Sequence, residues 1–236
     1  MAKSGNSLLA ILFAGSVLFS KNSFSQQDSQ AQGNRLIKQA TIMKYFDMGE
    51  YEYMVNINFQ HYLKYKKLPH PPSNKNNLLR YSTTEDSIIK KISMDICENL
   101  EEKTKEKKAQ ALLDFVHKHV YLDDINDYIK TPVETIVEEK GDCEDLSVLG
   151  YSLMKSAGID VVYLYVERKD SVKGENIGYV FLGINGNFYG TYTEHNGKKY
   201  FFAETTGTKW PDEPSDWKIG ECPPEFEGKN VEVISE

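Results

Sequence analysis

The chain has 236 residues, of which 40% are apolar and 27% charged, the proportions of a folded domain with one good core or two small ones. A formal charge of -7 and a pI near 5.4 argue against a phosphate-backbone partner, and no Lys/Arg stripe with interleaved aromatics offsets that balance. Nucleic acid is excluded as an expected partner, and Lys103 to Lys108, alternating with Glu101, Glu102 and Glu106, read as a solvated helix face.

The first element is a targeting signal. Lys3 gives a weak positive start, Leu8 to Phe19 is an apolar run shorter than the roughly 20 residues a membrane span needs, and Ser23 and Ser25 put small residues at -3 and -1 before Gln26. Residues 1–25 are therefore expected to be a signal peptide, with a periplasmic or secreted product and no membrane span in the mature form. No cysteine lies near the cut to carry a lipid anchor. Residues 26–34 are polar and read as a flexible leader.

Residues 35–82 are read as an amino-terminal strand and helix extension, and residues 83–236 as the main domain. In the extension, Tyr51, Tyr53, Val55 and Ile57 alternate with Glu50, Glu52 and Asn56, as in a half-buried strand, and Pro69, Pro71 and Pro72 close the region. Thr83 with Asp86 resembles a capping box opening a helix that carries Ile88 to Leu100. A second helix holds Leu112, Phe115, Val116, His119 and Val120 at helical spacing, which makes His119 a helix-face residue rather than a base or ligand. Thr131, Pro132 and Glu134 give the clearest helix start in the chain. Lys140-Gly141 ends that helix near Glu139, and Asp142-Cys143-Glu144-Asp145 opens a longer one with Leu146, Leu149, Leu153 and Met154 inward, stopping before Gly158. The period then changes to two: strands are expected at 160–166, 178–184, 188–192 and 199–203, with His195-Asn196-Gly197 as the turn between the last two. Helices first and antiparallel strands afterwards is α+β organisation.

The sequence holds 3 cysteines, an odd number in a compartment that permits disulfides, so one stays unpaired unless chains cross-link. Cys97 lies on an apolar helix face with Ile89, Ile92, Ile96 and Leu100 and reads as a small buried hydrophobe; a Cys97–Cys222 bridge stays open. Cys143 falls in a first helical turn, where free N–H groups and the helix dipole favour a thiolate and can serve an oxyanion. It is expected to alkylate faster than Cys97. Asp142, Glu144 and Asp145 read as acids that satisfy that helix end. Asp123, Asp124 and Asp127 lack the spacing of a calcium loop, and no His/Cys cluster has zinc spacing, so neither metal nor cofactor is expected. Trp210 and Trp217 read as cover for the core or as walls of a cleft.

The stretch TPVETIVEEKGDCEDLSVLGYSLMKSAGIDVVYLYV, with FVHKHVYLDD before it and YFFAETTGTKW and IGECP after it, resembles the transglutaminase-like superfamily of papain-like cysteine hydrolases. The resemblance covers about Thr83 to Pro223 and rests on the GDCED turn together with the downstream ETT. It implies Cys143 as nucleophile, an orienting acid at Glu204, and a base position that falls on Tyr179 where the family carries His. A phenol with a pKa of roughly 10 is a poor base near neutral pH. Three functions remain in view. The first is a non-catalytic or very weakly active domain binding a peptide, protein or cell-envelope component. The second is a cysteine peptidase or amide acyltransferase with a substitute base, His195 being considered first. The third is a structural module of an envelope assembly; His61 and His70 stay unplaced.

Overall fold

The computed structural model describes residues 40–70, 72–122, 128–169, 176–207 and 217–236. The signal peptide and leader, the aspartates at 123, 124 and 127, and Trp210 lie outside the described residues. Among those described, no helix is long and apolar enough to cross a membrane.

The chain opens with an antiparallel hairpin, β1 (Thr41–Asp47) and β2 (Glu52–Asn58), followed by α1 (Phe59–Lys66). The strand expected around Tyr51 to Ile57 is β2, with Tyr53, Val55 and Ile57 buried. Its partner β1 carries no sequence signal of its own, and α1 is the helix of the expected strand and helix extension, whose bounds the sequence left open. In β1 only Lys44 and Phe46 are buried, so apolar alternation is weak there. Helix α1 is announced by Asn58, whose side chain accepts from the Gln60 N–H. The hairpin packs on the main domain through Phe46, whose ring lies edge-on to Phe115 at 4.9 Å, and through the Tyr53 hydroxyl, which donates to Asp95 at 2.9 Å.

A short α2 (Leu78–Tyr81) leads to α3 (Ser87–Glu98) and α4 (Lys105–Val116). The cap of α3 is Asp86, not Thr83: its carboxylate accepts from Ile88 and Ile89, while Thr83 serves a turn through its carbonyl to Asp86 N–H. The Asp86 side chain also accepts from the Tyr65 hydroxyl at 2.6 Å and meets His61 at 2.7 Å, which ties α1 to the start of α3. His119 lies just past α4 and not on it. It is buried, its Nδ1 sits 3.1 Å from the Val116 carbonyl, and burial lowers its pKa to about 4.

Helix α5 (Pro132–Glu138) starts as expected, with the Glu134 carboxylate accepting from the Thr131 N–H and hydroxyl at 2.9 Å. It ends at Glu139, which takes the left-handed region with φ 55°. The next two residues, β4 (Lys140–Gly141), pair parallel with β3 (Val120–Tyr121). Helix α6 (Cys143–Ser156) is buried on nearly every side, more than its four expected inward residues require. It lies between the helices and a sheet, and at Gly150 a side chain would meet the Leu182 methyl at 2.9 Å. A bare Cα is what lets helix and strand approach there.

The sheet has five antiparallel strands in the order β7-β8-β6-β5-β9, built from β5 (Val161–Lys169), β6 (Asn176–Asn185), β7 (Tyr192–His195), β8 (Lys198–Ala203) and β9 (Glu232–Ile234). The strand expected at 188–192 is displaced to β7. Phe188 instead packs edge-on against Phe201 at 5.7 Å. Asn196 and Gly197 make the β7–β8 turn with φ of 51° and 73°, as the Asn-Gly pair requires. Because side chains alternate, the sheet has two faces. Val180, Leu182 and Ile184 of β6 join the main core, while Tyr179 and Phe181 join a second cluster with Val162, Leu164, Val166, Tyr200, Phe202 and Cys143. The carboxy-terminal segment covers that second face through Phe226, Val231 and Val233.

Candidate active site

Cys143 is the first residue of α6, behind the cap Asp142, which accepts from the Asp145 N–H at 3.0 Å while Asp145 reaches back to Asp142 N–H. One turn on, Ser147 fixes the helix to the sheet. Its hydroxyl donates to the Val180 carbonyl at 3.1 Å and meets the Thr205 hydroxyl at 2.9 Å. Ser147 thus sets Cys143 beside the start of β6 and the end of β8. The Val180 backbone itself hydrogen-bonds the sulfur. Three residues far apart in sequence, Cys143, Tyr179 and Glu204, are brought together by this clamp: Tyr179 shares a buried cluster with Cys143 and bonds Glu204.

Tyr179 is buried, and its hydroxyl donates to Glu204 Oε1 at 2.9 Å and contacts Thr206 Oγ1 at 2.6 Å. Thr206 turns back on the same oxygen, with its N–H and hydroxyl each donating at 2.8 Å. Burial and the neighbouring Glu204 and Cys143 push the phenol well above its ordinary pKa, so it stays protonated. It is a donor here and not a proton acceptor. On its other side Glu204 is held through its carbonyl, which lies 2.7 Å from His117 Nε2, and burial lowers the pKa of His117.

The thiol differs from the expectation drawn from its helix position. Its Sγ donates to Glu144 Oε2 at 3.0 Å, only 6% of Cys143 is exposed, and burial together with the Glu144 and Asp142 charges raises its pKa well above the usual value. A helix dipole favours the thiolate by roughly 0.3–1 kcal/mol at an exposed end. Desolvation and two nearby carboxyl groups outweigh it, and the Val180 contact only partly offsets them. Cys143 therefore has no thiol-reactivity advantage over Cys97, which is 8% exposed and also shifted upward by burial. The carboxyl groups around it are more than dipole partners. Glu144 also accepts from Ser73 at 2.9 Å, and Asp145 pairs with Lys130 at 3.0 Å.

All 5 histidines lie among the described residues, and each is engaged away from the sulfur. His195 sits in the β7–β8 turn, at the far end of β8 from Glu204, about 20 Å away at ~3.3 Å of rise per residue. His61 faces Asp86, and His70 lies 3.4 Å from Glu134. Among the described residues no group of three His, Cys, Asp or Glu side chains is placed to hold a metal ion. A polar cavity of about 630 Å³ opens beside Met48, Tyr51, Asp114 and His117, but Cys143 does not line it. Trp217 is half-buried, with its carbonyl accepting from Gln110. Cys97, Cys143 and Cys222 are all thiols.

Sequence reasoning missed Ser147, Thr206 and Phe226. Ser147 is an ordinary hydroxyl residue whose partners are distant in sequence, and Thr206, which bonds Glu204 two residues away, lies within the ETT motif. Phe226 lies in a Pro-rich tail that carries no periodic pattern.

Residues 91–190 match the model of the transglutaminase-like superfamily. No curated protein matches the chain. Among solved structures, a protein from Cytophaga hutchinsonii described as a candidate cysteine protease is similar at 18% identity and a TM-score of 0.39, over 58% of this chain and 40% of that one. Calcium-bound LapG from Legionella pneumophila is similar at 14% identity and a TM-score of 0.41, over 66% of this chain and 80% of that one. A TGase is similar at 11% identity and a TM-score of 0.37, over 82% of this chain and 51% of that one. The chain thus spans less than half of the Cytophaga protein. The fold is an α+β, transglutaminase-like and papain-like core.

Labelling measures the state of the thiol. In the folded protein a small alkylating reagent should modify half-buried Cys222 first, with Cys143 and Cys97 far behind. Glu144→Gln should speed modification of Cys143 about tenfold, the factor that one pKa unit represents. An unchanged rate would mean that the Glu144 carboxylate does not hold the thiol proton.

Proposed function

We propose that the chain is an exported transglutaminase-like domain that keeps Cys143 and Glu204 but lacks the standard reaction, because Tyr179 stands at the base position. In this reading it binds a peptide, protein or cell-envelope component without turning it over. The observation that carries it is the Tyr179 hydroxyl donating to Glu204 at 2.9 Å. The acid that would orient a histidine instead holds a protonated phenol, and the thiol rests on Glu144 at a raised pKa. Removing the base of such a triad typically costs several powers of ten in rate.

The alternative, a cysteine peptidase or amide acyltransferase with a substitute base, needs a group that can take the thiol proton. Glu144 is in reach, yet a carboxylate is a far weaker base than a thiolate whose pKa is raised. His195 is too distant.

A panel of peptide and amide substrates tests the reading, with Cys143→Ala as the blank. The natural protein should turn over no faster than the blank. Turnover by the natural protein that disappears in Cys143→Ala would overturn the reading in favour of the alternative.

A further inference from the structure

The carboxy-terminal segment is bound to its own domain much as a peptide is bound by a receptor. It leaves the sheet at Gly220, whose N–H donates to the Phe202 carbonyl at 2.7 Å and whose carbonyl accepts from Thr191 at 2.7 Å. Pro223 and Pro224 follow, then Phe226, and the segment ends as β9, which pairs with β5 over three residues. Between these attachments it is mostly exposed: Pro224 and residues 227–230 face solvent. Pro223 and Phe226 are the exceptions, Phe226 with 2% exposed.

The Phe226 ring lies parallel to Phe181 at 5.4 Å and tilted on Tyr179 at 4.8 Å. These two residues project from one face of β6 and share a cluster with Cys143. Stacking on one aromatic ring and a tilted contact with a second favour an aromatic occupant beyond what apolar area alone supplies. Residues 227–230 beyond Phe226 are exposed, and an open cavity of about 360 Å³ there is lined by Tyr165, Glu167, Lys229, Asn230 and Glu232. The edge of β5 then takes an extended backbone, a recurring way for a sheet to bind peptide.

We propose that the Tyr179–Phe181 shelf beside Cys143 is a subsite for the aromatic side chain of an extended peptide, and that the chain's own residues 222–234 fill it as an intramolecular ligand. This rests on the peptide-binding reading given above and names the class of peptide: a short extended segment with one aromatic anchor. The tail and an external peptide compete for the same shelf and the same strand edge. When the tail lifts, Cys143 is uncovered.

The probe is a fluorescent synthetic peptide of residues 221–234, with serine in place of Cys222 to prevent disulfide exchange. Its anisotropy is followed with the full chain and with the full-length Phe226→Ala variant. The variant should bind the probe at least tenfold more tightly than the natural chain, and a probe with alanine in place of Phe226 should bind at least tenfold more weakly than the full probe. Cys143 in Phe226→Ala should alkylate at least tenfold faster. Phe226→Leu keeps most of the apolar volume and guards against loss of fold; it should fall between the two in both readouts.

A folded Phe226→Ala, or Phe226→Leu if the former does not fold, that binds the probe no better than the natural chain overturns the proposal. So does a concentration-dependent dimer dissolved by the probe, because the tail would then serve a second copy. These readouts involve no turnover. Cys143-dependent hydrolysis would sink the non-catalytic reading and leave the subsite standing, while absent probe binding would sink the subsite alone.

Discussion

Lys130→Met should destabilise the protein by about 3–5 kcal/mol, the cost of leaving a buried charge without its partner, and lower the melting temperature by roughly 10 °C in a chain of this size. The Lys130 ammonium lies 3.0 Å from Asp145 Oδ2, with side-chain exposures of 6% and 0%, and the Lys130 N–H donates to the other carboxylate oxygen at 2.6 Å. Asp145 also reaches back to the Asp142 N–H, so this one side chain joins the loop before α5 to the turn that carries Cys143. Burial pushes the Asp145 carboxyl up, and Lys130 is the main group opposing that shift. Without the ammonium, the carboxyl must bind a proton in the folded state at pH values where the unfolded chain does not. The folded state then holds more protons than the unfolded one, and stability falls as pH rises above the ordinary carboxylate range. The deficit of Lys130→Met should therefore be larger at pH 8 than at pH 5. Adding Asp145→Asn, which removes the charge and keeps an acceptor for one of the two N–H groups, should recover at least ~1 kcal/mol. Chemical denaturation at the two pH values measures all of this. A single-variant loss below ~1 kcal/mol would mean that the pair carries little of the fold.

Much of the architecture was legible in local chemistry. Thr131-Pro132-Glu134, the Asp142 to Asp145 turn, Gly158 and Asn196-Gly197 each depend on neighbours a few residues away, and each ends or starts an element as read. What failed depended on distant partners. Thr83 offers a cap, but Asp86 gains Tyr65 and His61 from α1 and takes the role. Phe188 satisfies an alternating pattern, yet its ring packs on Phe201 and the strand forms further along. The site divides in the same way. GDCED and ETT mark where Cys143 and Glu204 fall, because a helix start and a strand end are local. The state of the thiol is not local: it follows from the tail covering one face of the sheet and from the direction in which Glu144 turns. A helix dipole can be read from sequence, whereas the burial that overrides it comes from a cluster assembled from β5, β6, β8 and the carboxy-terminal segment.

Tyr179→His should give the protein a Cys143-dependent hydrolysis or acyl transfer that the natural chain lacks, by two or more powers of ten. Position 179 already has the surroundings a triad base needs. The Glu204 carboxylate is oriented by the Thr206 N–H and hydroxyl at 2.8 Å, ready to accept from a ring N–H, and Cys143 belongs to the same buried cluster as residue 179. A phenol there cannot become a cation, whereas an imidazole takes the thiol proton and then stabilises the thiolate as a cation, opposing the upward push of Glu144 and Asp142. Access is the second requirement, because Cys143 is 6% exposed and shares its buried cluster with Phe226. The test therefore uses Tyr179→His both alone and with Phe226→Ala, each against its Cys143→Ala counterpart, on the same panel of peptide and amide substrates. The double variant should be the faster of the two. Its pH profile should rise with an apparent pKa near that of an imidazole, a signature the natural phenol cannot produce. If the double variant is folded and Cys143 alkylates readily, yet no Cys143-dependent turnover appears on any substrate, then residue 179 does not stand at the base position. The assignment of Cys143, Tyr179 and Glu204 as one site would fall with it.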